Sequence, residues 1–498
     1  MDYQTAIKKL NELDALGSRL QGLGESCQLT VVSCQLKEDG FETENDATIT
    51  QGGGELCVTP VAARVSKITQ SSPPPCVAPP EPRAPNQVLA PMCELMRRLG
   101  DPQDGLRAVH VAGTNGKGSV VAYLDSIARA AKAKSGAYTS PCLEDFKENI
   151  RINGVQIGER DVAEHLTRVL EAADAMAADG FSRPTRFETE TALAFLFFAA
   201  QSCQIVFIEA GMGGRDDATN IVKSPVLTVL TSVALDHTQI LGDTLGRIAQ
   251  VKCGIIKPSV PCVTEHPIKQ AEAVTQTIRK ACAEKNSRLI VCNRQKWPGL
   301  SKPWRFSYTT SGGLKLKVAL SSKADYQSDN AVLAIEAACA LGFNKKDIVS
   351  GLKNMEWFGR FSIVHKKPPF IVDGAHNPEG VESAVGNLLL LYPKKRYVLI
   401  VGMYQDKDAS RVMRYLSGVA PIKKIITLDM PENRRLFRAE ELKAIAARHL
   451  KNVCASTSPC DAVKKAIEAM GKDDLILALG SLSIIRPIER AAREIIDE

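Results

Sequence analysis

The string HVAGTNGKGS, residues 110–119, most narrows the folds open to this chain. An apolar strand runs into a glycine-rich turn, and a helical pattern follows. Gly113, Gly116 and Gly118 let backbone N–H groups approach a phosphate closely, and Lys117 adds a positive charge for its outer oxygens. The spacing is shorter than the usual GxxxxGK[ST] loop, since Gly118 directly follows the lysine. This order predicts a nucleotide-phosphate site. The alternative, a plain turn between strand and helix, would leave Lys117 without a purpose.

Strand and helix patterns alternate on both sides of this loop. The strands are apolar without alternation, as expected for parallel strands covered on both faces. Together they predict a doubly wound α/β domain. The predicted strands are Ala108–Ala112, Ile205–Ala210 and Val226–Val233, and the predicted helices are Tyr3–Leu20, Val88–Leu99, Ser119–Ala131, Asp161–Ala178, Thr189–Ala200, Leu245–Lys252 and Ile268–Lys285.

A second, smaller α/β series begins after Trp357 and predicts a separate domain. Its strands are Phe370–Asp373, Tyr397–Gly402, Lys424–Leu428 and Leu475–Leu479, and its helices are Gly380–Leu391, Ala409–Gly418, Ala439–His449 and Asp461–Ala469. Between residues 27 and 82 the chain is rich in proline and glycine and lacks periodicity, which predicts a disordered insert with at most a hairpin at 29–32 and 55–61. We therefore expect a first domain of residues 1–26 and 83–356, the insert, and a second domain of residues 357–498.

Composition excludes several classes of protein. No run of about 18 uncharged apolar residues appears, which predicts no membrane span, and the N-terminal segment lacks the apolar core of a signal peptide. The net charge of +7, from 63 basic and 56 acidic residues, is spread along the chain and suits an anionic small substrate better than nucleic acid. The 14 cysteines show no CxxC pair or zinc spacing. We expect free thiols in a reducing, cytoplasmic setting.

Chemically useful side chains follow the ends of two strands beside the phosphate loop. Glu209 ends one apolar strand, and Asp236–His237 follow the next. Strand ends are where ligands bind in open α/β sheets, and a carboxylate there needs a cation as companion. A carboxylate, an imidazole and a hydroxyl could hold Mg²⁺ on ATP. The alternative is a surface carboxylate with a loop histidine. Lys252 follows on the next helix, where an ordinary solvated lysine is the alternative.

The second domain offers a similar strand end. Asp373 ends a strand and His376 begins a helix, so both could face a ligand held between the domains. Arg360, at the domain boundary, could pair with a phosphate. Asn330 begins an apolar helix, where an N-cap is an equally good interpretation.

Together these strings resemble the folylpolyglutamate synthase/dihydrofolate synthase family of the Mur ligase superfamily. The matching strings run in family order over residues 83–498: AGTNGKGS, TSPCLEDFKENIRING, FETETALAF, EAGMGGRDDATN, LDHTQILGDT, KCGIIKP, YQSDNA, FGRF, DGAHNP, GMYQDKD and LGSLS. The resemblance implies a Mur-ligase-like fold and an ATP-dependent amide ligase. ATP would phosphorylate the carboxylate of dihydropteroate or of a folate's terminal glutamate, and L-glutamate would displace the phosphate. It also implies a monomer, with small molecules as its partners.

The resemblance also implies site residues by position. ATP would contact Asn115, Gly116, Lys117, Gly118, Ser119, Asn330, Arg360 and Asp373. Mg²⁺ would be held by Ser140, Glu209 and His237. Lys252 matches a lysine that is carbamylated in the family and serves a second ion. We place Lys117, Lys252 and His376 in the catalytic group. The pterin substrate would contact Thr185, Arg186, Phe187, Glu188, Asp216, Asp217 and Ala218.

Some positions depart from the family pattern. Cys142 replaces the histidine usual after Thr139–Ser140–Pro141, which leaves substrate preference open. Val251 replaces a glutamate before Lys252, Phe358 replaces a proline, and Ser362 replaces a glutamate. Two other functions stay open. One is a Mur-type ligase acting on a peptidoglycan precursor, which the Thr-Ser-Pro loop disfavours. The other is a non-catalytic ATP-binding scaffold, which the retained Lys117, Glu209 and His237 disfavour.

Overall fold

The computed structural model describes residues 1–13, 88–293, 304–419 and 421–497. The predicted insert at 27–82, its hairpin and the end of the helix predicted at Tyr3–Leu20 lie outside the described residues. In the part that is described, no helix is long and apolar enough to cross a membrane.

The first sheet has eight strands in the order β4-β3-β2-β5-β1-β6-β7-β8. They are β1 (Ala108–Ala112), β2 (Ser135–Tyr138), β3 (Ile150–Ile152), β4 (Val155–Gln156), β5 (Ile205–Glu209), β6 (Leu227–Leu230), β7 (Cys262–Thr264) and β8 (Leu289–Val291). From β2 to β8 all neighbours pair in parallel, whereas β3 and β4 form an antiparallel edge. The carboxyl ends of the parallel strands therefore share one edge of the sheet.

Helices cover both faces of this sheet. They are α1 (residues 3–13), α2 (Ala90–Arg98), α3 (Lys117–Ala130), α4 (Glu159–Ala178), α5 (Arg186–Ala200), α6 (Thr238–Leu241), α7 (Leu245–Lys252) and α8 (Glu272–Glu284). Alternate residues of one strand enter different cores: Ile205 and Phe207 pack with α3, and Val206 and Ile208 pack with α4 and α5. This two-sided burial explains the unbroken apolar strands and confirms the doubly wound prediction.

A small hairpin and two helices complete the first half of the chain. The hairpin pairs β9 (Arg305–Thr309) with β10 (Lys315–Ala319), and the helices are α9 (Tyr326–Ala340) and α10 (Lys345–Asn354). The inward residues of the hairpin join the same core as α3, α9 and α10.

The second sheet has six strands in the order β11-β12-β16-β13-β14-β15. They are β11 (Ser362–Lys366), β12 (Pro369–Val372), β13 (Arg396–Val401), β14 (Ile422–Thr427), β15 (Val453–Ala455) and β16 (Asp474–Leu479). The helices are α11 (Pro378–Leu391), α12 (Ala409–Ser417), α13 (Ala439–Ala447), α14 (Pro459–Ala469) and α15 (Ile485–Asp497). Only β11 pairs antiparallel, and cores lie on both faces. The predicted domain boundary falls in the connection between α10 and β11.

Candidate active site

A cavity of about 380 Å³ lies between the two sheets, at the carboxyl ends of their parallel strands. It collects most of the residues singled out from the sequence. The predicted site residues that line it are Asn115, Gly116, Lys117, Gly118, Ser119, Ser140, Glu209, His237, Lys252, Asn330, Arg360, Asp373 and His376.

The phosphate loop forms one wall of this cavity. Helix α3 begins at Lys117, and Gly116 before it has φ +89°, where a side chain would be strained. A Cβ at Gly116 would collide with Asn330 Oδ1, and one at Gly118 would lie 3.0 Å from Glu209 Oε2. The turn is thus glycine-rich because other residues approach its backbone. The first N–H groups of α3 face the cavity as donors for an anion.

Glu209 is buried at the end of β5 with few partners. Its Oε2 accepts one hydrogen bond, 3.2 Å from Ser140 N, and its Oε1 lies 3.9 Å from Lys117 Nζ. Burial raises the pKa of Glu209, and Lys117 only partly opposes this. The alternative of a surface carboxylate is wrong. A buried carboxylate so weakly compensated fits a bound cation.

Lys252 is buried as well, so the alternative of a solvated lysine is wrong. Its Nζ donates to the carbonyl of Gly113, at 2.7 Å. Burial, and then the charge of Lys117, lower the pKa of Lys252 to about 7. A large fraction of this amine is therefore neutral near pH 7, the form able to add carbon dioxide.

His237 lies in a polar cluster that joins the two sheets. Its Nε2 is 3.2 Å from Lys407 Nζ, and the same ammonium donates to Asp236 Oδ1 at 2.7 Å. Burial lowers the pKa of His237 more than the neighbouring Asp236 raises it. Asp236 and Lys407 had no assigned role from the sequence. The sequence does contain a pattern that could have indicated them: Asp236 directly precedes His237 after a strand, and Lys407 lies in the DKD of GMYQDKD after β13.

Asp373 organises the second-sheet side of the cavity. Its carboxylate accepts hydrogen bonds from Tyr326 Oη at 2.6 Å, Phe361 N at 2.9 Å and Ala375 N at 2.8 Å. These bonds fix two loops, the one before β11 that carries Arg360 and the one after β12 that carries His376.

His376 presents one defined ring nitrogen to the cavity. Its Nδ1 lies 2.9 Å from the carbonyl of Gly374, an acceptor, so Nδ1 carries the proton. Burial lowers the pKa of His376 to about 4, which keeps the ring neutral with a free lone pair on Nε2.

Asn330 is not an N-cap. The cap of α9 is Asp325, which accepts from Tyr326 N at 2.7 Å, and Asn330 follows one turn later inside the helix. Its Nδ2 donates to Gln327 Oε1 at 3.2 Å, and its Oδ1 faces the backbone of Gly116.

The residues predicted to contact the pterin lie outside the lining of this cavity, and most have local roles. Thr185 and Glu188 form the capping box of α5. Arg186 bonds Glu190, Asp216 pairs with Arg215, and Asp217 accepts from Met212 N at 2.7 Å and Thr219 N at 3.0 Å. Phe187 packs against Gly211, a lining residue, and Ala218 is buried. Their contact with substrate stays a prediction.

The predicted metal ligands are of three different kinds. Ser140 N bonds Glu209, and His237, the residue before α6, lines the same cavity. Within residues 1–13, 88–293, 304–419 and 421–497, no three His, Cys, Asp or Glu side chains cluster as a metal site. A cation here would therefore need other oxygen ligands, such as phosphate or water.

Comparisons with known proteins give a consistent result. Residues 359–482 match the family described as Mur ligase, glutamate ligase domain. The dihydrofolate synthase/folylpolyglutamate synthase of Bacillus subtilis is 33% identical over 80% of this chain and 93% of its own length. The Escherichia coli protein of the same description is 30% identical over 78% of this chain and 87% of its own length.

Solved structures agree with these sequence matches. Folylpolyglutamate synthase from Thermotoga maritima superposes with a TM-score of 0.69 at 31% identity, over 81% of this chain and 92% of its own. The Mycobacterium tuberculosis folylpolyglutamate synthase, solved with ADP and AMPPCP, gives a TM-score of 0.73 at 25% identity, over 82% of this chain and 95% of its own. The chain thus belongs to the folylpolyglutamate synthase/dihydrofolate synthase family and is an ATP-dependent ligase.

Proposed function

We propose that this enzyme joins L-glutamate to dihydropteroate, to (tetrahydro)folate polyglutamates or to both, through an acyl phosphate, with ADP and phosphate as the other products. The main support for the proposal is that the phosphate loop and Glu209 face Arg360, Asp373 and His376 of the second domain across one cavity. A phosphate donor and a carboxylate acceptor can meet there.

In the first step, an oxygen of the acceptor carboxylate attacks the γ-phosphorus of ATP, and the bond to the β-phosphate bridging oxygen breaks. The N–H groups of residues 116–119 would hold the phosphates, while Lys117 and Arg360 neutralise charge that moves onto ADP. Asn330 and Asp373 would bind the nucleotide. A carboxylate is a poor electrophile, and phosphorylation gives it a leaving group.

In the second step, the amine of L-glutamate attacks the acyl carbon, the C–N bond forms, and phosphate leaves. The amine must lose a proton as it becomes an amide nitrogen. The free Nε2 lone pair of His376 is a suitable acceptor because Nδ1–H is fixed by Gly374.

Glu209, Ser140 and His237 would hold Mg²⁺, which would neutralise phosphate charge. The weakly compensated Glu209 supports this assignment. A carbamate on Lys252 would be an anion beside a second ion. Its buried amine, whose pKa is lowered to about 7, supports that modification.

The proposal is tested with purified protein, ATP, Mg²⁺ and L-glutamate, with dihydropteroate and tetrahydrofolate as separate acceptors. We expect an amide of the correct mass, with ADP and phosphate in equal amounts. A heavy-oxygen label placed in the acceptor carboxylate should appear in the released phosphate. Folded enzyme that makes no amide from either acceptor contradicts the function, and unlabelled phosphate contradicts the acyl phosphate. A peptidoglycan-type acceptor in the same screen tests the Mur-type alternative.

A further inference from the structure

A second cavity, of about 260 Å³, opens beside the first. The two share Gly118, Ser140, Glu209 and Arg360, so the second cavity begins at the proposed phosphoryl-transfer centre. One wall is the segment from Thr139 to Gln156, which includes Cys142. The other is made by Glu356–Phe358 and Arg486, at the junction of the domains. The proposed chemistry gives this space no occupant.

Arg151 of β3 lines this cavity in an unusual state. Its guanidinium lies 5.2 Å from the centre of the Trp357 ring, and its Nε is buried without a hydrogen-bond partner among the described residues. Arg151 forms no ion pair with any residue that the structure describes, and burial lowers its pKa. Arg151 is half-buried, and its Nε is a donor whose hydrogen bond is not made within the described residues, which is costly unless another group supplies the acceptor.

Arg486 of α15 faces the same cavity from the second domain. Its guanidinium lies 4.3 Å from the centre of the Phe358 ring, and its Nη1 bonds Glu489 Oε2 at 2.7 Å. These contacts hold each guanidinium group over the face of an aromatic ring. Guanidinium groups held in place in this way suit two-pronged hydrogen bonding to carboxylates.

The acidic residues of the lining form no ion pair with Arg151 in the described part of the chain, and most are engaged elsewhere. Glu148 is used by the loop itself, where it accepts from Leu143 N at 3.1 Å and belongs to a capping box. Glu209 faces Lys117 and Ser140, and Glu356 is exposed at the rim. Glu148 and Asp125 lie near enough to Arg151 to oppose part of the effect of burial on its pKa, but neither forms an ion pair with it among the described residues.

We propose that Arg151 and Arg486 bind a carboxylate of a glutamate unit, supplied either by free L-glutamate or by the last glutamyl residue of the acceptor. This inference rests on the proposed function and adds its substrate-holding residues. Both sources present the same group, and a carboxylate held beside Arg360 and Glu209 lies within reach of the reacting centre.

The test compares Arg151→Gln, Arg151→Lys and Arg486→Gln with the wild type. Arg493→Gln is the matched control, since Arg493 lies on the same helix, bonds the same Glu489 at 2.9 Å and is absent from the cavity lining. We expect each Gln variant to raise the KM for L-glutamate or for tetrahydrofolate about tenfold or more, because the loss of one hydrogen bond to a charged group has about that effect on binding. The KM for ATP should not change. Arg151→Lys should recover part of the loss, and Arg493→Gln should behave as wild type.

The choice of acceptor distinguishes the two sources of the carboxylate, free L-glutamate and the last glutamyl residue of the acceptor. Dihydropteroate carries only the carboxylate that reacts, whereas tetrahydrofolate carries a further one. A raised KM for L-glutamate with both acceptors assigns the site to the free amino acid. A raised KM for tetrahydrofolate alone assigns it to the acceptor. KM values within twofold of wild type for every substrate in both Gln variants would overturn the inference.

Calorimetric binding of L-glutamate and of tetrahydrofolate, with a non-hydrolysable ATP analogue present, gives the same comparison without turnover. If the wild type forms amide and the Gln variants bind both ligands normally, only this inference fails. If the wild type forms no amide, the proposed function fails, and the binding data still decide the site. Should Arg151→Gln not fold, Arg486→Gln and Arg151→Lys carry the comparison.

Discussion

Burial shifts three of the cavity's titratable side chains toward their neutral forms. It raises the pKa of Glu209, lowers that of Lys252 to about 7 and lowers that of His376 to about 4. Each shift means that the folded chain disfavours the charged form and gives up stability when the group is charged. Such unfavourable burial is typical of functional sites. Replacing these residues should therefore separate activity from stability.

Glu209→Gln should cost activity without costing stability. The raised pKa means that ionised Glu209 weakens the fold as pH rises through and above its ordinary pKa, and Gln removes that charge while keeping the bond from Ser140 N. We expect a loss of kcat of about a hundredfold or more at pH 7.5, with a Tm equal to or above wild type. Exposed Glu164→Gln is the control. Near-normal turnover would remove Glu209 from the metal site.

Lys252→Met should stabilise the fold in a pH-dependent way. Between the folded pKa of about 7 and the ordinary value of 10.5, the unfolded chain binds more protons than the folded one, so wild-type stability rises with pH. Met does not titrate, so the stability of the variant lacks this dependence on pH. In carbonate-free buffer at pH 7.5 we expect the variant to be about 1–3 kcal/mol more stable than wild type, a net value that includes the loss of the hydrogen bond to Gly113. This gain should shrink toward pH 10. A pH-independent difference in denaturation would contradict the assignment, and activity should be lost throughout.

At the scale of elements, the longer apolar strands and most of the long helices were predictable, whereas the short strands were not. Helix α7 has the predicted bounds, and most of the other helices and strands differ from the prediction by a few residues at their ends. The missed strands are short and their pairing depends on neighbours: they are β2, β3, β4, β7, β8, β11, β15 and the hairpin of β9 and β10. Helix α15 was missed as well. Helix α5 begins at Arg186, before its apolar run, because the capping box of Thr185 and Glu188 starts it earlier.

Part of the site was predictable for a topological reason. Parallel strands end at one edge, so Glu209 and His237 were expected beside the phosphate loop, and both line the cavity. Lys407 was missed because its contact with Asp236 spans 171 positions and two sheets. No local pattern encodes such a contact. Asn330 was ambiguous because its helix begins earlier, at a cap that the sequence does not distinguish.

Two helix-interior glycines give a matched test of helix packing. A Cβ at Gly351 of α10 would collide with the backbone of Ile127 in α3, whereas one at Gly386 of α11 would meet nothing within 4 Å. Gly351→Ala should therefore destabilise the first domain by about 1–3 kcal/mol through forced separation of α3 and α10. Gly386→Ala should be neutral or stabilising by up to about 1 kcal/mol. Calorimetric unfolding measures both, and equal effects would contradict the close approach of these helices.

At the scale of the whole molecule, the two sheets meet through polar contacts around the cavity. Asn377 Nδ2 donates to Asn115 Oδ1 at 3.0 Å and to Asp236 Oδ2 at 3.3 Å, and Asn115 Nδ2 donates to Glu379 Oε2 at 3.2 Å. Together with the bond from Lys407 to Asp236, these contacts join the phosphate loop to the second sheet. Polar contacts of this kind suit a junction that opens to admit ligands and closes around them.

The Asp236–Lys407 pair should be the strongest single link across this junction. Burial raises the pKa of Asp236, but Lys407, His237 and His376 outweigh it and hold that pKa well below its usual range. The ionised Asp236 carboxylate therefore contributes its full stabilisation at neutral pH and loses it only as the pH falls from the ordinary pKa of aspartate toward the lowered one. Removing one partner leaves the other buried without its counter-charge, which costs about 3–5 kcal/mol in comparable cases.

A double-mutant cycle tests this link. Asp236→Asn and Lys407→Met should each lower stability and turnover, and the double variant should be little worse than either, giving a coupling above about 1 kcal/mol. The exposed pair of Asp104 and Lys223, separated by 2.8 Å, should give a coupling below about 1 kcal/mol. Small-angle scattering should show a larger radius of gyration for Lys407→Met than for Lys223→Met, because only the first change loosens the two sheets. Additive effects at Asp236 and Lys407, with unchanged scattering, would mean that apolar packing elsewhere holds the sheets together and that the ion pair serves the local geometry of His237 alone.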